Sequence, residues 1–313
     1  MYTTESQKEE FLKEYFRSRV VSTTMVTAVM NRALVNERIF KKPFYEFSKE
    51  NIMEMYEAAK ARSSRTLQNW NLTLKHASAW FLHNQGKTIE SEYGLITKSD
   101  LEQCIDAEAV KQMLISRTDL NTMQDDLMNA TDKAILEMLF LGFGGESLKE
   151  LTFFTQQQMG CRDKAVYFRN GKVIPITERG YDIIKSGCEE TALVSYGTEM
   201  RVIQVSGQGV YKVRGNTINT NDNEDDADDV RRRFRFIHRR VNLVSEYFGV
   251  PMTPKSINAS GFWYYAHQAM EKKGISDFRE YLATDNARRL CWRYGFTGDH
   301  YMTTVLDKFR RYM

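Results

Sequence analysis

Four short stretches concentrate the side chains able to grip a phosphate or read a base edge. In SRTLQNWNLTLKHASAWFLHNQGK, Arg65, Asn69, Thr73 and Lys75 stand off the apolar stripe of a predicted helix. Arginine and asparagine can pair bidentately with guanine and adenine, although the same residues also make an ordinary solvated helix face. In VRRRFRFIHRRVNLVSEYFG a basic face (Arg231, Arg232, Arg235, Arg239) opposes an apolar one (Phe234, Ile237, Val241, Val244, Phe248). That face either meets phosphate or is neutralised by the acidic segment NTINTNDNEDDADDV just before it. Lys255, Ser256 and Asn258 fall in the first turn of a helix opened by Pro254, where backbone amides and a cation together suit an anion. Plain capping by Thr253 or Ser256 is the alternative there. Arg289 and Arg293, with Arg288 beside them, share a helix face that turns to phosphate or to water.

Bond-breaking chemistry has no comparable signature. The histidines (His76, His83, His238, His267, His300) show no metal-ligand spacing and no His-Glu-x-x-His motif. Gly142-Phe143-Gly144-Gly145 lacks the lysine and hydroxyl of a phosphate loop and reads as a helix-ending turn. Cys104, Cys161, Cys188 and Cys291 are far apart, which fits neither a disulfide framework nor a zinc site and suggests a reducing cytoplasm. The expectation is therefore no catalytic triad, no metal and no cofactor.

The elements that must hold these residues follow from periodicity. At 313 residues the chain exceeds what one core usually serves, so two domains are expected, with the border near residues 107 to 114. A net charge of +3, from 44 basic and 41 acidic residues, is too small to name a partner, so charge distribution has to carry that argument. The N-terminus is charged and helix-patterned, and no run approaches eighteen apolar residues; secretion and membrane insertion are not expected. Helices are predicted over residues 5 to 19, 23 to 35, around NIMEMYEAAKA up to the polar break at Arg62, and from a Ser64 cap to Gly86. A short helix over KSDLEQCIDAEAVKQML precedes the second helical unit. MGCR, KAVYF and GKVIPIT form a small antiparallel sheet, followed by a helix over 177 to 185 and one more strand in GQGVYKVRG. After the basic helix come three more, over 254 to 273, 284 to 294 and 299 to 311, in which Phe262, Trp263, Tyr264 and Tyr265 read as core.

This order resembles the tyrosine recombinases, the phage integrase family. Residues 65 to 81 are similar to the family's core-binding helix, which enters a DNA groove. LEMLFLGFGGESLKEL, over 136 to 151, is similar to its helix, Thr-Gly-x-Arg turn and Ser-Glu-Leu start. Lys172 sits in a strand pair like the family's lysine-bearing hairpin, and MTPKSINASGFWYYA, over 252 to 266, is similar to its Thr-Pro-His-x-x-Arg helix. The resemblance implies a mainly α chain with a small antiparallel β-sheet: a helical core-binding-like (SAM-like) domain over 1–110 and a catalytic-like domain over 111–313, clamping a duplex.

The departures shape the functional expectation. Aligned on Glu150-Leu151, the family's first catalytic arginine falls on Ser147; aligned on Thr253-Pro254, its histidine falls on Lys255 and its second arginine on Asn258. The family's Leu-Gly-His turn is matched by Tyr294-Gly295-Phe296, and the nucleophile position falls near Val305 to Asp307, with neither Tyr301 nor Tyr312 well placed. Lys172 alone keeps a family identity, and one lysine cannot both stabilise a phosphorane and supply a nucleophile. The expected function is a sequence-specific DNA-binding repressor, like the recombinase-derived repressors of temperate phages. Its partners would be double-stranded DNA, with operator sites read by Arg65, Asn69, Thr73, Lys75, Lys172, Arg232, Arg235, Lys255, Ser256, Asn258, Arg289 and Arg293, and a regulatory protein or peptide as a further partner. An active recombinase with displaced catalytic residues, and an assembly factor that kept only the fold, are the alternatives.

Overall fold

Apolar side chains at three- and four-residue spacing dictate helices through most of the chain. The computed structural model describes residues 2–18, 23–61, 63–87, 91–144, 148–196, 200–215, 226–298 and 300–309. The chain divides into two compact units, Met1–Val110 and Lys111–Met313.

The first unit contains α1 (Glu5–Ser18), α2 (Thr23–Phe40), α3 (Lys49–Glu57), α4 (Ser64–Asn84) and α5 (Lys98–Gln103), with α6 (Ala107–Lys111) at its border. Its core forms where α4 lays Leu67, Leu74, Ala77 and Phe81 against Phe44, Tyr45 and Tyr56. A polar residue within that apolar face is tolerable only if satisfied. Asn71 is: it accepts from the Tyr56 hydroxyl at 3.1 Å and donates to the Tyr93 carbonyl at 3.0 Å. The cap position belongs to Ser63 and not to Ser64, which is the helix's first, buried residue.

The second unit continues with α7 (Arg117–Asp126), α8 (Ala130–Phe140), α9 (Lys149–Thr152), β1 (Met159–Gly160), β2 (Ala165–Tyr167), β3 (Val173–Pro175) and α10 (Glu178–Glu189). It ends with β4 (Ala192–Val194), β5 (Val202–Ser206), β6 (Val213–Arg214), α11 (Ala227–Phe248), α12 (Pro254–Lys273), α13 (Phe278–Leu282), α14 (Asp285–Arg293) and α15 (Tyr301–Phe309). The protein is mainly helical, with two small antiparallel sheets ordered β1-β2-β3 and β4-β5-β6. The second sheet corrects the expectation of one sheet and a lone strand. Of GQGVYKVRG only Val213 and Arg214 pair, because Gly209 is pressed against the Phe154 carbonyl, where a Cβ would sit 1.8 Å away.

Helix α8 is the axis of this unit. From Thr131 to Phe140 every residue but Lys133 is buried, as in a helix surrounded on all sides. Two glycines allow that enclosure. A Cβ on Gly261 of α12 would lie 1.8 Å from the Phe140 carbonyl oxygen, and one on Gly187 of α10 would lie 2.4 Å from the Ala134 Cβ. Burial on every side also traps two carboxylates on α8. Asp132 accepts Arg240 Nε at 2.6 Å, a second bond from the same guanidinium, and the Tyr196 hydroxyl at 2.6 Å. Glu137 accepts from Arg117 at 2.9 Å and Gln124 at 3.0 Å.

Among the described residues no helix is long and apolar enough to cross a membrane. Removing one partner of a buried pair strands the other charge. Arg240→Ala is therefore expected to lower the unfolding free energy of the second unit by about 3–5 kcal/mol in urea titration, and a loss below about 1 kcal/mol would show that Asp132 finds another partner.

Candidate nucleic-acid interface

A helix leaves its last carbonyls without intrahelical donors and its C-terminus partly negative. In α8 those needs are met by side chains from three other elements. Asn258 of α12 donates to the Leu139 carbonyl at 3.2 Å, the Tyr294 hydroxyl after α14 donates to Phe140, Arg293 Nε of α14 donates to Leu141 at 2.6 Å, and Lys172 Nζ donates to Gly142 at 3.2 Å. Gly142 itself takes the left-handed φ of 93° that ends the helix, and the Phe143 amide returns to the Met138 carbonyl.

Lys172 arrives on the β2–β3 turn, which is closed by Gly171 at φ 81° and by Asn170 accepting from the Lys172 amide. Its ammonium is 2.7 Å from Glu150 Oε2, and the same oxygen accepts the Gly144 amide at 2.9 Å. Burial pushes the Lys172 ammonium below the ordinary lysine value, and Glu150 opposes the shift. Arg293 lies with its guanidinium 4.4 Å over the Tyr265 ring, and its Nη2 is buried without a protein partner.

The second feature is a basic face on α11 and the start of α12. Arg231, Arg232, Arg235 and Arg239 are exposed, whereas Arg233 and Arg240 of the same run are buried. Asp229 holds Arg233 at 2.8 Å and also pairs with Arg232; Asp228 holds Arg231 at 3.3 Å. No carboxylate among the described residues pairs with Arg235, Arg239 or Lys255. A cleft of about 390 Å³ is lined by Phe234, Arg235, His238, Arg239, Asn242 and Leu243, with the carboxylate Glu246 at one side. Burial, and then the nearby Lys255 cation, push the His238 imidazole below its ordinary value.

Residues 114–309 match the family model described as MrpR, C-terminal catalytic domain. The chain belongs to the MrpR family. It is also similar to the SPbeta prophage-derived uncharacterized protein YopR of Bacillus subtilis (strain 168), with 24% identity over 285 residues that cover 86% of this chain and 83% of the relative. This MrpR-family chain thus has a phage-derived relative along most of its length.

Within the MrpR match, the sequence-predicted site residues fall into two sets. Lys172, Asn258 and Arg293 converge, but on the end of α8: Lys172 is 2% exposed, and the polar groups of the other two point at carbonyls. Ser256, 1% exposed, is spent on a capping box with Thr253. Thr73, ahead of the matched segment, is 2% exposed and donates back to the Asn69 carbonyl at 2.9 Å. Thr73, Lys172 and Ser256 are buried, with their polar atoms bonded inside the chain rather than presented at the surface. Arg65, Asn69, Lys75, Arg232, Arg235, Lys255 and Arg289 are exposed. Tyr301 is buried with its hydroxyl on the Leu282 carbonyl at 2.7 Å, while Ser147, Tyr312 and residues 216–225 of the acidic segment lie outside the described residues.

Sequence reasoning missed His238 and Tyr294. Spacing puts His238 four residues after Phe234, but only the fold sets it beside Lys255; Tyr294 acts through a carbonyl far away in sequence. If Lys172 is a structural cation, Lys172→Met should cost about 2–3 kcal/mol of unfolding free energy. Unchanged stability would mean that the Glu150 and Gly142 contacts carry no weight.

Proposed function

We propose that this protein is a sequence-specific DNA-binding repressor of a temperate phage, built on a tyrosine-recombinase-like scaffold that no longer cleaves DNA. One observation carries the reading: Lys172, Asn258 and Arg293, at or beside positions where a recombinase holds the scissile phosphate, are bonded to the carbonyls that end α8. A cation already bound to Glu150 and Gly142 is not free to stabilise a phosphorane. Losing even one such donor costs an active site on the order of 3 kcal/mol, and Tyr301 is not available as nucleophile.

DNA affinity then comes from the exposed cations. Arg235 and Arg239 flank one cleft on α11, Lys255 at the start of α12 is near enough to act on His238 of that cleft, and Arg289 adds an exposed cation on α14. We read the biological role as operator binding that keeps lytic genes silent in a lysogen, in keeping with the resemblance to recombinase-derived repressors of temperate phages. The prophage origin of the YopR relative supports that setting.

Phosphate contacts are read by salt. Arg235→Ala and Lys255→Ala should each weaken binding to every duplex alike and reduce the slope of log affinity against log salt by about 1. An unchanged slope would remove that residue from the interface. Phosphate next to His238 should draw a proton onto its depressed imidazole, so binding takes up a proton and affinity rises as pH falls. His238→Ala should flatten that profile; a profile identical to wild type would exclude the cleft as a contact.

A further inference from the structure

We infer that Leu72 of α4 is a base-reading residue that packs on the C5 methyl of a thymine in the major groove; this rests on the DNA-binding reading above. Helix α4 is the one α-helix among the described residues with no aspartate or glutamate, in a chain that has 41 of them. A helix of 21 residues with no carboxylate of its own contributes little to repel a polyanion; Glu14 of α1, which accepts Trp80 Nε1 at 2.7 Å, is a carboxylate held against it toward its C-terminal end. It is about 30 Å long, enough to lie in a groove with residues to spare.

The face it leaves uncovered is specific. At 100° per residue, Arg65, Asn69, Leu72, His76, Ala79 and His83 form one stripe, all exposed except His76, which is half-buried against the Tyr15 ring. Leu72 is 51% exposed at the middle of it, with the donors Arg65 and Asn69 on one side and Lys75 at its edge. A single exposed leucine is ordinary on a protein surface. Next to a guanidinium and a carboxamide on a helix with no carboxylate of its own, it completes the set a major groove asks for: donors for purine edges and an apolar contact for the thymine methyl.

The backbone at Leu72 is held from both neighbours. Asn71 is locked beneath it by Tyr56 and the Tyr93 carbonyl, and Thr73 is bonded back to Asn69. Leu72 is therefore presented on a rigid support, as discrimination by one methyl group requires.

The test uses the full chain and a duplex selected by it from a randomised pool, with each thymine replaced singly by deoxyuridine, which differs only by the methyl group. Wild type should lose about fourfold at one or two positions, the worth of burying one methyl. Leu72→Ala and Leu72→Ser should bind thymine and uracil duplexes equally there, with unaltered melting temperature and salt slope. A uracil penalty that persists in both variants, or none at any position in wild type, overturns the assignment while leaving DNA binding intact. Failure to select any duplex by salt-sensitive binding overturns both readings.

Discussion

The second unit depends on how one buried helix is satisfied at its two ends. At the start of α8, Glu190 accepts the Ala130 amide at 2.9 Å and the Thr131 amide at 2.6 Å, a carboxylate on the positive end of the dipole. At the other end four successive carbonyls are taken by Asn258, Tyr294, Arg293 and Lys172. A helix closed in on every side cannot leave these groups to water, so each donor must come from a neighbouring element. The same enclosure requires the glycine contacts at Gly187 and Gly261 and the paired carboxylates Asp132 and Glu137. Helices α10, α11, α12 and α14 and the β2–β3 turn are thus fixed by what α8 needs.

That constraint bears directly on function. The end of α8 holds Lys172, Asn258 and Arg293. On the proposed DNA-binding reading, what is left to meet nucleic acid is on the outside: Arg235, Arg239 and Lys255, which no described carboxylate pairs with, and the exposed face of α4, a helix with no carboxylate of its own. Arg233 and Arg240 look like members of the same basic run but serve Asp229 and Asp132. One helix therefore supplies both the internal ion pairs of the unit and part of its outer charge.

Much of this was legible in the sequence. Pro254 and the glycine after Lys273 bracket α12, and the Arg-Asn-Gly turn fixes β2–β3, because these are local rules of capping and turn chemistry. The second sheet was not legible, since its three strands are only two to five residues long, too short for an alternating pattern to stand out. At the candidate site, residue type separated cations from the rest but could not say which way they face. Arg235 and Arg233 differ by two positions and by opposite surroundings; Thr73 has the spacing of a contact and turns its hydroxyl back on its own helix.

The most direct measurement offers the full chain a nicked suicide duplex carrying a fragment it retains, at low and high salt, and resolves the products on a denaturing gel. If Lys172, Asn258 and Arg293 serve α8 as proposed, the duplex is held tightly at low salt, released at high salt, and leaves no covalent protein–DNA adduct. An adduct that survives denaturation would show that a nucleophile and a working phosphate site persist, and would contradict the account.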